Sequence, residues 1–189
     1  MQQFRSIVSE SNLKLMCSLL EMLPDGDVVE VGVYHGGSAE WLYKSCIIQN
    51  RTLHLFDTFS GTPFWDEELD HHKPGPEFAD EEAPAKIRRI MPLAKIYIGE
   101  YPKTHPQGLN NLAFVHCDCD QYQSYRSVID ILWPLVVPGG ILLFDDYPYL
   151  MGAKKAVEES FDIKDLCKCG TRFYVKKSFD VENIGLDIK

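Results

Sequence analysis

Four carboxylates stand where chemistry could be done: Asp118 and Asp120 in FVHCDCDQY, and Asp145 and Asp146 in GGILLFDDY. Each pair closes an apolar run that reads as a buried strand. If those strands are parallel neighbours, their C-terminal ends lie side by side, and Asp118, Asp145 and Asp146 converge. Unpaired acids within a few ångströms repel, which raises their pKa values and costs stability unless a cation sits between them. No Lys or Arg lies nearby in sequence. A hard divalent ion with oxygen ligands, Mg²⁺ above all, resolves the conflict and leaves coordination positions for water or substrate. Asp120, two residues past Asp118, is expected on the same side of the strand but farther out, the place of a general base. The plainer alternative makes Asp120 a cap for the helix starting around Gln121, and Asp145 with Asp146 the start of a turn before Pro148. It accounts for one or two acids, not for four at one edge.

A second set lies upstream in EVGVYHGGS, between a strand and a helix. This is not the G-x-G-x-x-G of a dinucleotide fold. Gly32, Gly36 and Gly37 still supply a tight turn, and the helix start offers free N–H groups to an anion such as a ligand carboxylate. Asp57 ends the second strand, 25 residues after Gly32, where a carboxylate accepts ribose hydroxyls and disfavours a phosphate. Glu30 is an acid in a buried strand end, which is costly without a cation or donor beside it. A ligand with a ribose, a carboxylate, an amine and a sulfonium but no phosphate fits: S-adenosylmethionine. The competing possibility is a glycine turn needed only for helix–strand packing, with Asp57 solvated.

The elements that must position these residues alternate β and α. A helix in FRSIVSESNLKLMCSLLEML leads to the strand DVVEVGVY; a glycine-opened helix and the strand RTLHLFD complete a βαβ unit. Strands AKIYIG, LAFVHCD and GGILLFDDY follow, with a helix in YRSVIDILWPLV. A helix from about Leu150 to Phe161 precedes two strands, IKDLCKC and TRFYVKK, joined across Gly170 as an antiparallel edge hairpin. Such alternation calls for a parallel sheet with helices on both faces. The long, Pro- and acid-rich stretch at about 60–92 holds one helical piece near Pro84 to Ile90 and is expected to be a lid. Its Trp65, His71, His72 and Phe78 suggest a partly aromatic, polar acceptor pocket. The His pair is more simply read as exposed and idle.

With 189 residues the chain suits one domain, and its 28 acids against 19 bases, net −9, argue against a nucleic-acid partner. No run approaches a membrane helix and no leader is evident, so no membrane partner and a cytoplasmic location are expected. Of the six cysteines, Cys117 and Cys119 take alternate positions of an apolar strand, where core packing is favoured over zinc.

VVEVGVYHGGSAEWL, LHLFDTFSGTP, IGEYPKT and the segment from Phe114 to Tyr147, including its Pro-Gly-Gly turn, resemble the macrocin O-methyltransferase (TylF-type) family in order and approximate spacing, over roughly Asp27 to Phe161. The resemblance implies a Rossmann-like class I methyltransferase with a mostly parallel seven-stranded sheet. It further implies Mg²⁺-assisted methyl transfer from S-adenosylmethionine to a hydroxyl of a sugar or other small natural product, such as a glycoside. Carried onto this chain, Asp118, Asp145 and Asp146 hold the metal and Asp120 is the base. Glu30 and the turn from Gly32 to Ser38, Tyr34 included, hold the methionine part, Asp118 borders the cofactor, Asp57 meets the ribose, and Thr58 and Phe59 fall in the cofactor segment. Members commonly carry a longer N-terminal region that closes the site and supports a homodimer; about 25 residues precede the first strand here. A metal-independent methyltransferase and a metabolite-binding module of the same fold remain the alternatives.

Overall fold

The computed structural model describes residues 4–179. Helix α1 (Glu10–Glu21) starts at Ser9, whose hydroxyl accepts from the Asn12 N–H, and buries Leu13, Met16 and Leu20. Then come β1 (Asp27–Val31), α2 (Gly37–Gln49) and β2 (Leu53–Asp57). A short hairpin, β3 (Ser60–Thr62) with β4 (Gly75–Ala79), precedes α3 (Ala83–Ile90) and β5 (Lys95–Ile98). The remaining elements are β6 (Leu112–Cys117), α4 (Tyr122–Leu132), β7 (Val136–Phe144), α5 (Met151–Ser160), β8 (Cys167–Cys169) and β9 (Arg172–Lys176).

The seven-stranded sheet runs β5-β2-β1-β6-β7-β9-β8, parallel from β5 to β7, with the two C-terminal strands antiparallel. This is the expected sheet, including the edge hairpin turning at Gly170. Alternate side chains of each central strand feed two cores. Val28, Leu55 and Phe114 meet α1, α2 and α3 on one face, whereas Val29, Phe56 and Val115 meet α4 and α5 on the other. Burial on both faces is why these strands read as continuous apolar runs. No helix among the described residues is long and apolar enough to cross a membrane.

Three local expectations change. The stretch after Asp57 contains the β3–β4 hairpin as well as the helix near Pro84. Its strand GPEFA lacks any alternation, and the chains approach closely only because Gly61 has no side chain: a Cβ there would lie 1.7 Å from the Gly75 oxygen. Strand β6 stops at Cys117, so alternation does not set the direction of Asp120; its left-handed φ of 57° does. The first helix begins only at Glu10, and residues 4–8 instead run beside the glycine turn, with Phe4 buried. Cys117 is core and Cys119 half-buried, with sulfurs 3.6 Å apart, and all six cysteines are free.

Candidate active site

The C-terminal ends of β1, β2, β6 and β7 frame a cavity of about 260 Å³. Of the residues expected to meet a cofactor, Gly32, Tyr34, Gly37, Ser38, Asp57, Thr58 and Asp118 line it; Glu30, Gly36 and Phe59 do not. The Asp57 carboxylate ties two turns together, accepting from the N–H groups of Val33 (2.6 Å), Tyr34 (2.8 Å) and Phe59 (2.6 Å). Phe59 is thereby held at φ 53° with its ring in the core. The glycines answer first to the chain itself. A Cβ on Gly32 would fall 1.6 Å from the Asp118 carbonyl oxygen, and one on Gly37 would fall 2.4 Å from the Ser6 Cα. Gly36 takes φ 89° against Ile87 and Phe4.

Glu30 faces away from this cavity. Its carboxylate pairs with His116 Nδ1 at 2.9 Å, both side chains are fully buried, and its second oxygen has no partner among the described residues. The other nitrogen of His116 lies 3.3 Å from Asp145. Burial works against a charged ring, but hydrogen bonds to Asp145 and Glu30 overcome it and hold the His116 proton well above the usual imidazole range.

Asp118, Asp145 and Asp146 do converge, presenting ligand atoms within 4.8 Å of one another. Asp120 joins them on the cavity wall, its N–H donating to Asp146 Oδ2 at 3.1 Å. Burial, then the charges of Asp145 and Asp146, push Asp118 up; burial and the charges of Asp120 and Asp145 raise Asp146 to about 8. Burial and Asp145 take Asp120 to about 6, the range of a general base at neutral pH. Asp145 goes the other way. Burial alone would raise it, yet His116 and Arg172 hold it at about 2.

No Lys or Arg lies near these acids in sequence, but the fold brings Arg172 to them. From the start of β9 it clasps both oxygens of Asp145, Nη2 to Oδ2 at 2.7 Å and Nε to Oδ1. Antiparallel pairing of β9 with β7 brings it there from 27 residues away in sequence. The oxygen-only set still suits a hard dication, since among the described residues neither Asp118 nor Asp146 has a paired Lys or Arg to hold it ionised, although Arg172 competes for Asp145.

A second cavity of about 270 Å³ lies beyond the acids. It shares Asp120, Asp145 and Asp146 with the first and adds His72, Tyr149, Thr171 and Arg172. His72 Nε2 is 3.9 Å from Asp120 Oδ1 and its Nδ1 3.2 Å from Glu77, while His71 is exposed. The segment carrying His72 is docked onto α4. Buried Gln121 accepts from the Phe64 N–H (2.9 Å) and donates to the His72 carbonyl (3.2 Å), and Asp70 accepts the Tyr122 N–H at 2.7 Å. The α4 cap is thus Asp70 of the insertion, not Asp120. His116, Arg172, Gln121 and Asp70 escaped sequence reasoning; a lone His inside an apolar strand was the single available signal.

A family model described as a methyltransferase domain matches residues 29–147. The chain is 29% identical over 159 residues to demethyldecarbamoylnovobiocin O-methyltransferase of Streptomyces niveus, covering 74% of this chain and 61% of that protein. It is 26% identical over 155 residues to mycinamicin III 3''-O-methyltransferase of Micromonospora griseorubida, covering 72% and 61%. The chain thus spans about three fifths of the length of these relatives. Among solved structures, the O-methyltransferase NovP superposes with a TM-score of 0.75 at 24% identity, over 92% of this chain and 82% of that one, which establishes the Rossmann-like class I methyltransferase fold. Since the matched region runs from β1 through both acids that follow β7, more than half of the chain, the protein belongs to this methyltransferase-domain family.

Proposed function

We propose that the protein is an S-adenosylmethionine-dependent O-methyltransferase of the TylF type, working in the cytoplasm on a hydroxyl of a sugar or other small natural product. The carrying observation is that Asp120 stands on both cavities, so a base lies between a cofactor site and an acceptor site. The names of the curated relatives, O-methyltransferases of novobiocin and mycinamicin compounds, agree with such an acceptor.

In the reaction, an acceptor hydroxyl oxygen attacks the methyl carbon of the sulfonium in line, the methyl–sulfur bond breaks with its electron pair passing to sulfur so that S-adenosylhomocysteine leaves, and Asp120 takes the hydroxyl proton. A raised pKa suits that role, because a more basic carboxylate holds the proton better. Asp57 fixes the turns under the nucleoside, and the docked segment contributes His72 to the wall of the second cavity. Asp118, Asp145 and Asp146 would hold Mg²⁺, which when bound supplies Lewis-acid stabilisation of the developing alkoxide.

One observation favours the metal-independent alternative: Arg172 and His116 already counter Asp145. Labelled methyl transfer to a panel of glycosides, with Mg²⁺ and with chelator, separates the two. Metal dependence is expected, and Asp120→Asn should lower kcat about 10²–10⁴-fold while S-adenosylhomocysteine still binds. Full turnover in chelator would select the metal-independent form. No turnover on any glycoside despite tight cofactor binding would favour a binding module.

A further inference from the structure

Resting on the cofactor proposed above, we infer that Arg5 is the anchor for the α-carboxylate of S-adenosylmethionine. The cavity wall carries five aspartates, Asp57, Asp118, Asp120, Asp145 and Asp146, so a ligand carboxylate entering it meets a repulsive field unless a cation stands at one end. Two wall residues can supply positive charge, Arg5 and His35. His35 is taken, its Nδ1 lying 2.5 Å from Asp80. Arg5 has no hydrogen-bond or ion-pair partner among the described residues.

The segment around Arg5 is built to hold it there. Phe4 is 3% exposed, packs toward Gly36, and donates its N–H to the buried Glu40 carboxylate at 2.9 Å. Ser6 lies so close to Gly37 that any side chain on that glycine would strike it, and the Ser6 hydroxyl accepts from the Val8 N–H at 3.1 Å. The Arg5 backbone is therefore fixed between two anchored neighbours at the opening of α2, with the residue exposed on the cavity wall and far along the chain from the acids of β6 and β7. The free N–H groups of the first turn of α2 point the same way as an anion would need. A guanidinium fork matches a carboxylate in a way that a lone backbone dipole does not.

Calorimetric titration compares S-adenosylhomocysteine with 5′-methylthioadenosine, which keeps the nucleoside and thioether but lacks the amino-acid part. Arg5→Met should weaken S-adenosylhomocysteine about tenfold, the usual worth of a charge-assisted hydrogen bond, and leave 5′-methylthioadenosine unchanged. Arg5→Lys should retain part of the affinity, and the native advantage should shrink in about 0.5 M salt. No change with either ligand, or equal weakening of both, overturns the assignment; equal weakening would mean that the segment merely covers the cavity. If the unaltered chain binds neither ligand, the cofactor proposal itself fails. Binding of both with only the Arg5 difference missing removes Arg5 alone.

Discussion

The acid cluster makes stability depend on pH in a direction opposite to that of most carboxylates. Asp146, raised from 3.8 to about 8 by burial and by Asp120 and Asp145, keeps its proton in the folded chain while an unfolded chain has lost it. Stability present at low pH is therefore lost as pH climbs toward 8, at about 1.4 kcal/mol per pH unit for one such group. The window from pH 6.5 to 8 is the one in which this effect is the main contribution. Asp120, raised to about 6, is still completing its titration at the lower edge of this window and adds in the same direction, whereas His54 and His105, both lowered by burial, add a smaller opposing contribution as the unfolded chain's imidazoles lose their protons around 6.5. His116 and Asp118, both raised, work in the same direction as Asp146. Asp146 alone then accounts for about 2 kcal/mol, or roughly 4–8 °C in melting temperature for a domain of this size. Thermal melts in chelator at the two pH values read it directly. Asp146→Asn should flatten the dependence, and Mg²⁺ should do the same in the unaltered chain by keeping the cluster ionised. A melting temperature that holds or rises between pH 6.5 and 8 in chelator would refute the charge assignment.

Two further perturbations test the segments that enclose the site. Gly37→Ala gains about 1 kcal/mol of helix propensity but pushes a methyl into the Ser6 backbone, releasing Phe4, whose burial is worth about 1.5–3 kcal/mol. The expected net result is destabilisation of about 1 kcal/mol with rapid tryptic cleavage at Arg5; unchanged cleavage would show that the segment is not held by this contact. Gln121→Leu leaves the Phe64 N–H and the carbonyls of Phe64 and His72 unsatisfied, a cost of about 1–3 kcal/mol for a buried group, localised to the insertion. Faster amide exchange at Phe64 with S-adenosylhomocysteine affinity preserved is the expected outcome, and native-like exchange would count against Gln121 as the anchor.

The sheet was legible because every central strand is buried on both faces and announces itself as an apolar run between helical patterns. Convergence of Asp118, Asp145 and Asp146 followed from one topological step, parallel neighbours ending at a shared edge. What compensates them was not legible. Arg172 reaches Asp145 through an antiparallel pairing whose register no local pattern encodes, and His116 acts by lying between Glu30 and Asp145 across three strands. The glycine turn was recognised; what was not legible is which neighbours crowd it, Asp118 beside Gly32 and Ser6 beside Gly37, contacts that only the fold creates. The β3–β4 hairpin had no alternation to reveal it, since its closest approach depends on Gly61.

Charge counting then links the metal question to the pH question. Around the edge stand five carboxylates, Glu30, Asp118, Asp120, Asp145 and Asp146, against two cations, His116 and Arg172. Both cations engage Asp145, which is why it alone of the four aspartates is lowered while Asp118, Asp120 and Asp146 are raised. The remaining negative charge must be answered by protons or by a dication. Protons answer it in chelator at low pH, and they leave Asp120 and Asp146 unable to accept another. A dication answers it at neutral pH with Asp118 and Asp146 ionised, while Asp120, at about 6, is mostly ionised there in either case. The size of the pH dependence that Mg²⁺ abolishes therefore measures how much of the cluster's charge a dication answers in place of protons.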